Sequence, residues 1–263
     1  MSLIFFGKHS QDWMNILNNG LLTDLQQIDN ELVVIDNYYV INENLKNCKY
    51  LIPLIEKHML ELYKNNIDAI MPSIESINYF RCKQNFYNYV KKNNLLDYIP
   101  KTYENILEIK NNINNLFILK PFNYNNGFGM LIVKNIYPKY FIDYIIQEYI
   151  PNNSEYAAHI ISDKGKIIYN ITYNYTFTNL IHINSSKLLK KLNKITLDDK
   201  YILILEKFLI PCEYTGVCCV DFIIVNDNIK VFEINPRFGG SLMKNKTDLI
   251  IMFSHLLKLK KSL

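Results

Sequence analysis

Arginine is nearly missing from this sequence: of 29 basic residues only Arg81 and Arg237 are arginine, the other 27 being lysine. Glycine and proline number eight each in 263 residues, which leaves no Gly- or Ser-rich linker and no collagen-like or low-complexity segment. No apolar run approaches the about 18 residues a membrane helix needs, the longest lying near Leu249–Leu257. The five cysteines include no C-x-x-C, and the five histidines are scattered without ligand-like spacing, which argues against a zinc site. Met1–Phe6 has no basic segment ahead of a long apolar stretch, so the expectation is a cytoplasmic protein with free thiols. The net charge of +4 is spread along the chain rather than gathered into a block, so neither a nucleic-acid nor a membrane surface is implied.

What is present is a globular composition, 49% hydrophobic and 21% charged, long enough for two small domains. The 35 Asn and 20 Tyr, with Lys in place of Arg, are the residues that A+T-rich codons favour. Asn runs such as Asn111-Asn112 are then drift on solvated surfaces. An Arg or Gly that survives against that bias is more apt to be needed.

The first part of the chain alternates short apolar runs with helical patterns. Leu3–Gly7, Glu31–Asn37, Lys49–Leu54 and Ile67–Ser73 read as buried strands, Glu56–Asn66 as a helix, and Glu75–Asn93 as one long helix with Ile77, Phe80, Gln84 and Tyr87 on one face. Strands interleaved with helices imply a mostly parallel sheet in a small α/β domain. From Pro100 the pattern changes. Strands are expected at Leu116–Lys120, Met130–Lys134 and Ile145–Ile150, with a short helix at Pro138–Tyr144. A hairpin joins Tyr156–Ser162 to Lys166–Tyr173 across Asp163–Gly165, Leu197–Leu209 is a helix stopped by Pro211, and a second hairpin joins Gly216–Val225 to Ile229–Asn235 before a closing helix at Thr247–Leu257.

The second hairpin is the most informative stretch. A three-residue loop, Asn226–Asn228, puts Asp221 opposite Glu233, Val220 opposite Ile234 and Phe222 opposite Phe232. Directly opposed residues have Cβ atoms about 5 Å apart, and Asn235 follows Glu233 on the same face about 7 Å along the strand. Two carboxylates so placed repel unless a cation lies between them. Oxygen donors on a rigid strand pair suit Mg²⁺, with Mn²⁺ as an alternative. Arg237 follows where Pro236 ends the strand, and its fork of donors matches phosphate oxygens in a way Lys does not.

Two further stretches add to this. In Phe117–Gly129 the strand ends on Lys120 and Pro121, and Gly127 and Gly129 permit close backbone approach to an anion; a plain hairpin loop with an exposed Lys accounts for it equally well. In Ile145–Tyr156, Glu148 and Ile150 could offer alternating backbone groups to an adenine edge and Glu155 could accept from ribose hydroxyls, where an ordinary strand and loop is the alternative.

Together and in this order the three stretches resemble the ATP-grasp superfamily, in the branch similar to the carbamoyl-phosphate synthetase large subunit and related carboxylate-amine ligases. The V-D-F of Val220–Phe222 and the E-I-N-P-R of Glu233–Arg237 are the specific part, and Ile99–Thr102 resembles the start of the first grasp lobe. The resemblance covers about residues 80 to 245. It implies a small parallel-sheet pre-grasp domain at 1–98 and a two-lobed grasp domain with antiparallel sheets at 99–263, divided into 99–150 and 151–263. It also implies that Lys83 and Lys120 contact ATP phosphates, that Glu148 and Ile150 lie at adenine and Glu155 at ribose, that Asp221, Glu233 and Asn235 hold magnesium, and that Arg237 stabilises the phosphoryl group in transfer.

The implied activity is ATP-dependent activation of a small carboxylate as an acyl phosphate, attacked by an amine or another nucleophile. Asn123–Gly129 is the expected mobile lid. The alternatives are an ATP-dependent kinase of a small metabolite and a non-catalytic ATP-binding subunit. Residues that could touch the acceptor include Ser73, Glu75, Arg81, His159, Gly240, Ser241 and Lys246, each with an ordinary packing or surface explanation. A homodimer is expected by analogy alone.

Overall fold

The computed structural model describes residues 2–9, 11–16, 27–28, 31–32, 34–109, 115–122, 129–183 and 188–262. Its first unit is a parallel sheet in the order β4-β1-β5, with β1 (Ser2–Phe6) between β4 (Val34–Tyr38) and β5 (Tyr50–Pro53). A buried parallel strand is apolar on both faces, and β1 is an example: Leu3 and Phe5 enter one core while Ile4 and Phe6 enter another on the opposite face. Around it lie α1 (Gln11–Ile16), a two-stranded ribbon of β2 (Gln27–Ile28) and β3 (Glu31–Leu32), α2 (Glu43–Lys46) and α3 (Glu56–Lys64).

The fourth expected strand, Ile67–Ser73, does not form. The turn at Asn66 (φ +53°) delivers a segment that makes one sheet-like bond, Ile70 N–H to Leu51 O at 2.7 Å. Pro72 then has no N–H to offer, and Ser73 is drawn away to cap the next helix, its Oγ accepting from Ser76 N–H at 3.2 Å. The long helix expected over Glu75–Asn93 is two helices, α4 (Ile74–Phe80) and α5 (Lys83–Lys92). Cys82 between them is extended (φ −128°, ψ 132°), and Asn85 Nδ2 donates to Asn78 O across the break at 2.8 Å. The break turns Gln84 off the expected buried face: its Nε2 donates to Asn88 Oδ1 along α5.

The next unit is an antiparallel sheet ordered β6-β9-β7-β8, made of β6 (Thr102–Tyr103), β7 (Phe117–Pro121), β8 (Leu131–Val133) and β9 (Tyr144–Glu148), with α6 (Tyr140–Asp143) leading into β9. Its core is small: Tyr103, Ile109, Phe117, Leu119 and Ile146.

The last unit is a five-stranded antiparallel sheet, β12-β11-β10-β13-β14, comprising β10 (Ser154–Asp163), β11 (Lys166–Phe177), β12 (Leu189–Ile195), β13 (Gly216–Val225) and β14 (Asn228–Asn235). Both hairpin loops are one residue shorter than expected: Asp163 pairs with Lys166 and Val225 with Asn228. Each loop is two residues at positive φ, Lys164-Gly165 (+46°, +84°) and Asn226-Asp227 (+48°, +65°), the turn whose twist matches that of the strands. Helix α7 (Asp199–Leu209) covers one face with Tyr201, Leu205, Phe208 and Leu209. Pro211 sits in the 3₁₀ turn that ends it.

Helix α8 (Lys246–Ser262) joins the first unit to this sheet's other face. Leu3, Phe5, Trp13 and Ile52 share one core with Ile161, Ile171, Val217, Leu249 and Phe253. Among the described residues no helix is long and apolar enough to cross a membrane.

Candidate functional site

The site is built on β13 and β14. Asp221 does pair with Glu233, for a reason the sequence did not show. The two-residue loop alone would have brought Asp221 opposite Phe232. A β-bulge between Asp221 and Phe222 inserts one extra residue on β14 and restores the acid pair. The expected Phe222–Phe232 pairing is therefore wrong: Phe222 faces Val231, and these two pack with Val220 and Ile234 beneath the hairpin. Phe232, the extra residue, lies under Lys120, whose Nζ is 5.0 Å from its ring centroid.

The acids are held together at a cost. Burial first, then the like charges of Glu233 and Glu155, push the Asp221 pKa well above the usual carboxylate range, and Arg237 opposes them. Asn235 bridges the pair as a donor, its Nδ2 reaching Asp221 Oδ2 and Glu233 Oε1, each at 3.2 Å. Behind Asp221 the buried Cys219 stays a thiol, its Sγ 3.8 Å from Asp221 Oδ1.

Arg237 is held from three sides. Its Nη2 donates to Asn235 Oδ1 at 3.4 Å and its Nη1 to Phe238 O at 3.0 Å, and its Nε forms an ion pair with Glu56 Oε1 at 3.2 Å. Glu56 starts α3 in the parallel-sheet unit. With Arg81, Lys83, Glu233 and Asn235 it lines a cavity of about 20 Å³ over the rings of Phe80 and Phe86. Both arginines of the chain thus serve one cleft: Arg81 lines it, and Arg237 is bonded to two of its walls.

Across the cleft, Lys120 ends β7 and is 8% exposed. Burial pushes its pKa down to about 8, Lys83 adding to the effect while Glu233, Glu155 and Asp221 pull the other way. Lys120 therefore lies within electrostatic reach of four other candidate residues. Glu155 is anchored: His182, buried and held by Asn179 O on Nδ1 at 3.1 Å, meets Glu155 Oε1 through Nε2 at 3.1 Å.

Other candidates stand further off. Glu148 turns its side chain to the backbone, Oε1 accepting from Lys101 N–H at 2.9 Å, and Ile150 O accepts from Asn152 Nδ2. Gly129 sits at φ +73°, where a Cβ would come 3.1 Å from Pro121 Cγ. Gly127, with most of the Asn123–Gly129 lid, lies outside the described residues.

Among the residues named for the acceptor, Ser73 is spent as a helix cap, and Ser241 Oγ lies 2.7 Å from His159 Nε2 in the interior. Burial pushes the His159 pKa down to about 3, so the ring is neutral. Gly239 allows this packing, since a Cβ there would meet Cys219 Sγ at 2.4 Å and His159 Cε1 at 2.7 Å.

Sequence reasoning missed Glu56, Phe232 and His182. The one signal for Glu56 was an acid opening a helix just after a buried strand, where open α/β sheets place ligand-facing groups. Nothing in the sequence marked the bulge at Phe232.

A family model for the ATP-grasp domain matches residues 82–241, and the chain belongs to the ATP-grasp family. The fold is similar to that of D-alanine–D-alanine ligase from Bacillus anthracis, at 14% identity and a TM-score of 0.64, covering 98% of this chain and 94% of that one. It is also similar to N5-carboxyaminoimidazole synthetase from Staphylococcus aureus, at 12% identity and a TM-score of 0.65, covering 97% and 77%. Biotin carboxylase from Campylobacter jejuni matches at 15% identity and a TM-score of 0.58, covering 98% and 70%. No curated protein sequence matches.

Proposed function

We propose that the protein is an ATP- and Mg²⁺-dependent ligase that activates a small carboxylate as an acyl phosphate for attack by an amine or another nucleophile. The observation that carries this reading is the opposed Asp221–Glu233 pair, with Lys120 across the cleft, Lys83 lining the cavity beside Glu233 and Arg237 at the strand end.

The donor set fits a hard divalent cation. Two carboxylates press together with the Asp221 pKa raised, and an oxygen of each already converges on one donor, Asn235 Nδ2. Among the described residues no three His, Cys, Asp or Glu cluster to hold a metal, so the set here is two acids and an amide. Mg²⁺ usually takes one or two carboxylates and leaves its other positions to water and phosphates. Asp221 and Glu233 would hold it together with the Asn235 amide oxygen, and when bound it would offset phosphate charge during transfer.

The chain's own groups supply the rest. Lys120 brings positive charge to the phosphates from the opposite lobe, and Lys83 brings it from the start of α5 beside the acids. Arg237 is aimed where charge shifts in transfer, and donors fixed beforehand stabilise a transition state without reorganising. Glu155, anchored by His182, is the ribose acceptor, and the segment Glu148 to Ile150, where the chain leaves β9, lies beside adenine. The structures of that B. anthracis ligase include one complexed with ATP, which supports a nucleotide in the same fold.

The test is thermal unfolding with ATP and Mg²⁺, followed by phosphate release across carboxylates and amines supplied singly and in pairs. A ligase turns over only with a pair of co-substrates. Turnover with one substrate and a stable phosphorylated product would make it a kinase, and binding without turnover would make it an ATP-binding subunit.

A further inference from the structure

We infer that Glu56 is a positioning residue for Arg237, fixing the guanidinium through Nε so that its terminal nitrogens are presented to a phosphoryl group; the inference rests on the role proposed above for Arg237. The two side chains are 13% and 18% exposed, so water competes little for the 3.2 Å contact between Nε and Glu56 Oε1. A guanidinium has five N–H donors. Nε faces Glu56 Oε1 as an ion pair, while one Nη2 donor is spent on Asn235 Oδ1 and one Nη1 donor on Phe238 O. One donor remains on each terminal nitrogen, the pair suited to two oxygens of a phosphoryl group.

Two of the anchors are local and the third comes from a different part of the molecule. Asn235 belongs to the acid site and Phe238 to the chain just after it, whereas Glu56 reaches over from the helix that follows β5 of the parallel sheet. Without Glu56 the guanidinium would keep two bonds to residues within two positions of itself and could swing with the strand end. With it, the group is triangulated against a second body. The arrangement also accounts for Arg at this place in a lysine-rich chain, since an ammonium is a point charge with no separate Nε edge to fix.

Because the chain contains only two arginines, the pair can be read directly. Proton–nitrogen spectra of protein labelled at arginine Nε should show two Nε–H signals, assigned by Arg81→Lys. The Arg237 signal is expected to be shifted from that of exposed Arg81 and slow to exchange with solvent. Glu56→Ala should collapse it toward the Arg81 position, and Glu56→Gln, whose amide oxygen still accepts, should leave it between the two. In parallel, affinities for MgADP and for MgADP with fluoroaluminate, a mimic of the phosphoryl group in transfer, give a ratio. Glu56→Ala should cut the preference for the mimic on the order of tenfold to a hundredfold, the range for loss of a supporting partner; Glu56→Gln should lose less.

An unmoved Arg237 signal, or an unchanged ratio in both variants, would overturn the inference. If Glu56→Ala does not fold, Glu56→Gln carries the same two readouts. Wild-type protein that binds neither ligand would overturn the nucleotide reading itself, a result distinct from nucleotide bound with the ratio unmoved.

Discussion

The two antiparallel sheets facing each other across the cleft differ in what supports them. The five-stranded sheet shares one core with the parallel sheet and α8, and a second with α4, α5 and α7. The four-stranded sheet rests on a private cluster of five buried residues and meets the larger core through Ile145 and the half-buried Phe122. The charges divide along the same line: Asp221, Glu233, Asn235 and Arg237 sit on the well-supported body, Lys120 on the lightly supported one. Acids that must stay opposed against their own repulsion need a floor that does not yield, whereas a lysine that follows a substrate's phosphates can ride on a part that moves.

Removing charge from the five-stranded sheet has the greatest consequence. Glu233→Gln and Arg237→Ala should each abolish ATP turnover, a loss of at least about 10² to 10³, with far-UV circular dichroism unchanged. Glu233→Gln should also raise the thermal midpoint of the ligand-free protein, because it removes the like charge that, after burial, does most to lift the Asp221 pKa. Wild-type turnover in either variant would contradict the site, and a lowered midpoint would contradict the strain.

Packing offers the next test. Phe222→Ala, beneath the acid hairpin and fully buried, should cost the whole protein about 3–5 kcal/mol in urea unfolding. Phe117→Ala removes an equally buried ring from the other sheet, and should instead speed hydrogen exchange over residues 99–150 while moving the main transition little. Equal shifts of that transition would show the two sheets to be one cooperative unit.

The smallest expected effect is on pH. With its pKa near 8, Lys120 is charged below that pH and neutral above it. ATP affinity should therefore fall as pH rises through about 8, by roughly tenfold for the loss of one charged hydrogen bond, and Lys120→Met should be weak and flat across the same range. Stability should move the opposite way. Between about 8 and the ordinary lysine value of 10.5 the unfolded chain binds the proton that the folded one has released, so the cost of burying this residue is relieved as pH rises.

How far the sequence carried the account differs from element to element. Alternation marked the acid face and the apolar underside along β13, but on β14 the bulge interrupts it, and Val231 rather than Phe232 joins the underside. The Asp221–Glu233 pairing was reached through two departures that cancel, a loop one residue shorter and a bulge one residue longer. The break at Arg81-Cys82 was hidden because the apolar spacing runs on through it, and the strand expected at Ile67–Ser73 failed on a proline that removes a donor. Glu56 carried only the weak signal of an acid opening a helix after a buried strand: its contact with Arg237 exists only once the parallel sheet docks against the acid hairpin, and no local pattern records that docking.

The central claim is that Asp221 and Glu233 hold a divalent cation beside nucleotide. Electron paramagnetic resonance of Mn²⁺ titrated into protein saturated with ADP tests it most directly, comparing the wild type with the double variant Asp221→Asn, Glu233→Gln. The account predicts that wild-type protein depletes the free Mn²⁺ signal beyond what ADP alone removes and that the double variant does not. Equal uptake by the two proteins would contradict it.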